Sequence, residues 1–174
     1  MKIGLLSDTH GYLDQSIYKY FEEVDEIWHA GDIGTEEVLD DLARFKPTRP
    51  VWGNIDGQKL RIRTAELQVF TIDGKKVLLT HIAGKPPRYN KEIRKLIAQE
   101  QPDLLICGHS HILRVEFDKQ NNLLFMNPGA VGKNGFHKVK TMLRFEITKG
   151  KVENLEVVEL GPRSEGKIEV DPVK

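Results

Sequence analysis

Seven side chains able to bind a metal ion stand just beyond short apolar runs: Asp8 and His10, then Asp32, Asn54 and His81, then His109 and His111. Taken singly, Asp8 and Asn54 read as turn residues and His81 as a satisfied buried histidine. Taken together they would need seven unrelated reasons to occupy the ends of five strands, whereas one shared metal centre accounts for all of them. In open α/β sheets the carboxyl ends of the strands line a crevice, so donors placed there converge. Asp8-Thr9-His10 and His109-Ser110-His111 each set donors two residues apart, on the same side of an extended backbone, so each pair is expected to grip one centre. Gly31, Gly53 and Gly108 directly precede Asp32, Asn54 and His109, and glycine permits the strained turn and close approach that a crowded site requires.

The elements that must carry these donors follow from the apolar spacing. Residues 2–6, 26–29, 50–52, 77–80 and 104–107 are short apolar runs bounded by Gly, Asp or Pro, which suits strands covered on both faces. Residues 13–23, 35–44 and 91–101 carry helical spacing, with Thr35 and Asn90 as N-caps. Beyond Leu113 the runs 113–117, 123–126, 142–147 and 152–160 read as strands joined at Asn121-Asn122 and Lys149-Gly150. Residues 67–72 and 76–79 form another hairpin at Asp73-Gly74. The expected architecture is two packed sheets with helices outside, in one domain over residues 1–160 with a polar tail at 161–174.

Composition narrows the function. The chain has 174 residues, enough for one well-buried core, with 26 Lys plus Arg against 26 Asp plus Glu. Zero net charge disfavours binding to nucleic acid or an anionic membrane by bulk field. The single Cys107 excludes an intrachain disulfide and sits in an apolar run, where it reads as a small hydrophobe. No stretch approaches the ~18 apolar residues that span a bilayer, so a cytoplasmic location with no membrane partner is expected. His29, beside Trp28 in a strand, reads as a hydrogen-bonded core residue supporting the site. Residues 85–95 hold Lys85, Arg88, Lys91, Arg94 and Lys95 against Glu92 alone. They read as a solvated face, with a contact from Lys85 or Arg88 to a substrate phosphate as the alternative. His137, with Lys133 and Lys138, has the same pair of readings.

SDTHG at 7–11, HAGDIG at 29–34, GNID at 53–56, His81 after a strand, GHSH at 108–111 and Asn127-Pro128-Gly129 occur in order, and this set resembles the calcineurin-like metallophosphoesterase superfamily, particularly its small YfcE-like phosphodiesterases. The resemblance implies an α/β fold, a four-layer α-β-β-α sandwich of two mixed sheets flanked by helices. It also implies two divalent metals, with Asp8, His10 and His111 on the first, Asn54, His81 and His109 on the second, and Asp32 bridging. Asp32, Asn54 and His109 are the expected catalytic residues among them. Mixed imidazole, carboxylate and amide donors suit manganese first, with nickel, zinc, iron or cobalt as alternatives, better than magnesium or calcium. Two divalent ions offset by Asp8 and Asp32 leave a centre of about +2, which attracts a phosphoryl anion. The implied activity is hydrolysis of a small phosphate ester by attack of a metal-bridging hydroxide.

Two departures from the family pattern stand out. Larger relatives carry a histidine after the GN pair, thought to protonate the leaving group, and this chain has Ile55 there. Relatives also show a glycine after the histidine matched by His81, where this chain has Ile82. The rival reading is a scaffold, since a retromer subunit of eukaryotic trafficking complexes shares the fold and works through protein contacts; retention of all seven donors favours the enzyme. Relatives of this size often form dimers or tetramers, so a homo-oligomer is implied by resemblance.

Overall fold

Alternation along the apolar strands sets the layering. A computed structural model describes residues 1–164. In β1 (Lys2–Leu6), Ile3 and Leu5 enter one buried cluster while Leu6 enters another. In β5 (Lys75–Thr80) and β8 (Leu104–Ile106), Val77, Leu79, Leu104 and Ile106 separate in the same way from Leu78 and Leu105. The first set meets between two sheets, joined by Trp28 and Phe145, whose rings pack edge to face at 5.6 Å. Each side chain fully buried in this way contributes about 1.5–3 kcal/mol.

One sheet has the order β12 (Lys151–Pro162), β11 (Val139–Thr148), β1, β2 (Glu26–Ala30), β3 (Thr48–Val51), with β1, β2 and β3 parallel and the other pairs antiparallel. The other has the order β4 (Leu67–Ile72), β5, β8, β10 (Leu123–Pro128), β9 (Leu113–Asp118), parallel at β5-β8 and β8-β10. Outer layers form where α1 (Ser16–Tyr20) and α2 (Glu36–Phe45) bury Ile17, Val38, Leu39 and Leu42 against the first sheet. On the second sheet α4 (Lys91–Glu100) buries Ile93 and Ile97. The α-β-β-α sandwich of two mixed sheets is therefore what the chain adopts. A single turn α3 (Gln58–Arg61) and a two-stranded ribbon of β6 (Gly84–Lys85) and β7 (Arg88–Tyr89) complete the elements.

The capping expectations hold: the Thr35 hydroxyl accepts from the Val38 N–H and the Asn90 carboxamide oxygen from the Ile93 N–H at 2.9 Å. The helix expected at 13–23 shrinks to five residues. Asp14 bonds the Ser16 N–H and hydroxyl and takes an ion pair from Lys140 of β11, so the chain before Ser16 is tied into a loop. Strand β12 passes the expected domain boundary at 160 by two residues, and Arg163 donates to the carbonyls of His137 and Lys133. The rest of the expected tail, 165–174, lies outside the described residues. Among the described residues no helix is long and apolar enough to cross a membrane.

Candidate metal centre

The carboxyl ends of β1, β2, β3, β5 and β8 open on one edge of the sandwich, and all seven predicted donors lie there. Asp8, His10 and His111 place one ligand atom each within 4.8 Å of one another, and so do Asp32, His81 and His109. Asn54 joins the second group, its Oδ1 3.1 Å from His81 Nε2. Asp32 stands between the groups: Oδ1 is 3.2 Å from His81 Nε2, and Oδ2 is 3.6 Å from His10 Nε2.

The expectation of extended backbone at the two-residue pairs is corrected. Asp8, His10, Asp32, His109 and His111 all have positive φ, between 49° and 68°, a region that Asp and His enter more readily than most residues. Asp8 and His10 still share a cluster. His109 and His111 do not: His109 lies with the Asp32 group and His111 with the Asp8 group.

The donors fit divalent cations. Asp8 is fully buried, and its Oδ2 accepts from the Ser7 hydroxyl and the His109 N–H. Its Oδ1 has no hydrogen-bond partner among the described residues and faces His111 Nε2 at 3.1 Å. A buried carboxylate oxygen left without a donor is costly unless a cation meets it. The histidine tautomers agree. His81 Nδ1 donates to the Ala30 carbonyl at 2.7 Å, leaving Nε2 aimed at Asp32 and Asn54.

Close approach is what the glycines allow. Gly31 has φ of +92°, and a Cβ there would lie 2.6 Å from His81 Nδ1. A Cβ on Gly108 would lie 1.9 Å from the Ser7 hydroxyl and 2.8 Å from Asp8 Oδ2.

Behind the donors, His29 acts as expected. It accepts the Gly31 N–H at Nδ1, donates from Nε2 to the Thr9 hydroxyl, and Thr9 donates to the Ile33 carbonyl. Complete burial pushes it down to about 4, so it stays neutral. Asn127 donates to the Gly108 carbonyl and the Ser110 hydroxyl and accepts the Gly129 N–H, which fastens the GHSH loop. Cys107 is buried and pushed up to about 12 by desolvation, in keeping with the inert reading.

Two supports were not assigned by sequence reasoning. Asp56 is 2% exposed, and its carboxylate accepts the N–H groups of Ile33, Gly34 and Gly53, joining the loops that carry Asp32 and Asn54. The GNID motif contains it, and a buried acid two residues beyond Asn54 was the available signal. His137 donates from Nε2 to the Gly132 carbonyl, so its Nδ1 is free to accept from His111 Nδ1, 3.3 Å away. It thereby leaves His111 Nε2 bare for a metal. This gives His137 a part beside His111, and Lys133 lies over the Tyr12 ring at 4.3 Å. His137→Ala is expected to weaken metal binding by about 10–100-fold. His137→Asn, which retains an acceptor, should recover part of it in a calorimetric titration.

Charge in the site is coupled. Burial opposes ionisation of Asp32, but its bond and attraction to His81, the Ile55 N–H and nearby His10 hold its carboxyl below the usual range. Burial likewise opposes charging of His81, yet Asp32, Asp8 and the Ala30 carbonyl hold the proton more tightly than in free imidazole. A metal must displace that proton. Metal affinity is therefore expected to fall as pH drops, starting above the ordinary histidine value of 6.5. A titration of metal binding against pH checks the direction.

Residues 1–150 match the domain described as the calcineurin-like phosphoesterase superfamily domain. A probable metallophosphoesterase from Methanothermobacter thermautotrophicus is 30% identical over 135 residues, 75% of this chain and 77% of that protein. The solved structure of a novel archaeal phosphodiesterase superimposes with a TM-score of 0.72 at 21% identity, covering 92% of this chain and all of that one. Wild-type Vps29 complexed with zinc, from Entamoeba histolytica, gives 0.70 at 21% identity, covering 91% and 99%. At these identities the two structural likenesses speak for the fold.

Proposed function

The chain belongs to the calcineurin-like phosphoesterase superfamily, and on that premise we propose that it is a metal-dependent phosphodiesterase with a two-metal centre. Asp8, His10 and His111 would hold one divalent ion, Asn54, His81 and His109 the other, and Asp32 would bridge them. The observation that carries this reading is Asp32, whose two carboxylate oxygens face different histidine clusters at 3.2 and 3.6 Å. When bound, such ions supply Lewis acidity toward phosphoryl oxygens and a water of pKa near ~7. Manganese is the first choice, with nickel, zinc, iron or cobalt as alternatives.

The chain's own residues divide the remaining work. Asn54 and His109 are exposed, so a phosphoryl group arriving from solvent meets them first. Asp8 and Asp32 are buried and would keep negative charge where cations would bind. Ile55 lends its N–H to Asp32 Oδ1, but its side chain, 46% exposed at the site, has no proton to give a departing alkoxide. Leaving groups that are stable anions are therefore favoured. Turnover of an aryl diester is expected to exceed that of an unactivated alkyl monoester by at least about 100-fold, the scale of one general acid. Equal rates would contradict the absence of an acid.

The direct test strips the protein with chelator and resupplies manganese, nickel, zinc or magnesium before assay on bis-p-nitrophenyl phosphate, with His109→Ala alongside. Activity restored by metal and missing in the variant supports the reading. No turnover in metal-loaded protein would move weight to the scaffold, which the complete donor set at present disfavours.

A further inference from the structure

Two cavities flank the second donor group, and they differ in charge. One, of about 360 Å³ beside Asn54 and His81, carries Glu66 and Glu92, and its only cation among the described residues, Arg61, is stacked 4.2 Å over Trp52 while its Nε donates to the Asp56 carbonyl. The other, of about 470 Å³, borders His109 and Ser110 and has Lys85 and Arg88 on its wall. Its third cation, Arg114, is already paired with Glu116.

Lys85 and Arg88 are register partners, directly opposite each other on the two strands of the β6-β7 ribbon. Like charges in that position repel. Both are exposed, and among the described residues neither makes an ion pair. The ribbon is nevertheless fixed in place. The Tyr89 hydroxyl donates to buried Asp118 at 2.8 Å, and Asn90 ties back to the carbonyls of Ala83 and Ile82. A tethered pair of repelling cations at the wall of a cavity that includes a metal-donor histidine is relieved by an anion. Apart from Asn127, the rest of the wall is apolar or glycine: Ile82 and Ile112 are 43% and 65% exposed, with Phe125 deeper.

We propose that this cavity is a subsite for a second anionic group on the substrate, carried by an apolar or aromatic arm and held by Lys85 and Arg88. The substrate class is then a phosphodiester with a further phosphate on one of its alcohols. This inference rests on the phosphodiesterase reading and deepens it.

The test compares p-nitrophenyl thymidine 5′-phosphate with the same ester bearing a 3′-phosphate, in metal-loaded protein at fixed ionic strength. The two share the scissile bond and leaving group and differ by one anion. The phosphorylated ester is expected to have the higher kcat/KM by tenfold or more. Lys85→Ala/Arg88→Ala should bring the ratio close to one, whereas Lys95→Ala, exposed on α4 outside the cavity, should keep it. A ratio near one in the parent protein, or one retained by the double variant, overturns the subsite and leaves the phosphodiesterase standing. No turnover of either ester, or of bis-p-nitrophenyl phosphate, overturns both.

Discussion

Replacing Asp32 with Asn is expected to lower kcat/KM on an aryl phosphodiester by on the order of 10³-fold, with loss of metal from the protein. The substitution keeps the shape and leaves an oxygen able to accept the Ile55 N–H, so folding should survive. What changes is electrical. Asp32 is 2% exposed and ionised, with one oxygen toward each histidine cluster. An amide offers one oxygen and one NH₂ group, so one cluster meets a donor in place of an anion. Two divalent ions would then face Asp8 alone, and their mutual repulsion would be less compensated. Metal per chain by elemental analysis, measured with turnover on the same sample, checks this. Full activity with full metal content would contradict the role given to Asp32.

Replacing Asp56 with Ala is expected to cost about 3–5 kcal/mol, because three N–H groups, those of Ile33 and Gly53 buried and that of Gly34 half-buried, would lose one common acceptor. For a chain of this size that corresponds to a fall in Tm of roughly 10 °C. Activity should fall as well, since Ile33 and Gly34 follow Asp32, and Gly53 precedes Asn54. Asp56→Asn should lie between, as it keeps one acceptor but turns an NH₂ group on a peptide N–H. Thermal or urea unfolding gives the number, and a loss under about 1 kcal/mol would show that the loops are held by other contacts.

Much of this site could be read in the chain before its structure. The donors stand out because each follows an apolar strand, three of them directly after a glycine, and the parallel strands of both sheets deliver them to one edge. The strands were readable as apolar runs covered on both faces, and the structure divides those runs between two clusters, Ile3 and Leu5 on one side and Leu6 on the other. The division of His109 from His111 was not readable from spacing, since Asp8 and His10, equally spaced and also at positive φ, stay in one group. The grouping that the family resemblance implies, with His109 and His111 apart, is the one in which the side chains lie. The support from His137 depends on a loop held by Arg163, 26 residues further on, and sequence separation hides such contacts. The Lys85–Arg88 opposition escaped because two-residue strands around Pro86-Pro87 are too short to show a pattern. Helix α1 was overestimated because helical spacing over 13–23 competes with the bonds of Asp14, which are specific to this fold.

The most direct measurement is a manganese titration of metal-free protein, followed by electron paramagnetic resonance and by hydrolysis of bis-p-nitrophenyl phosphate in the same samples. A bridged pair predicts two ions per chain, a spectrum showing exchange coupling between them, and turnover that rises with the coupled species. One ion per chain, or two uncoupled ions with turnover unrelated to the second, would contradict a centre joined through Asp32.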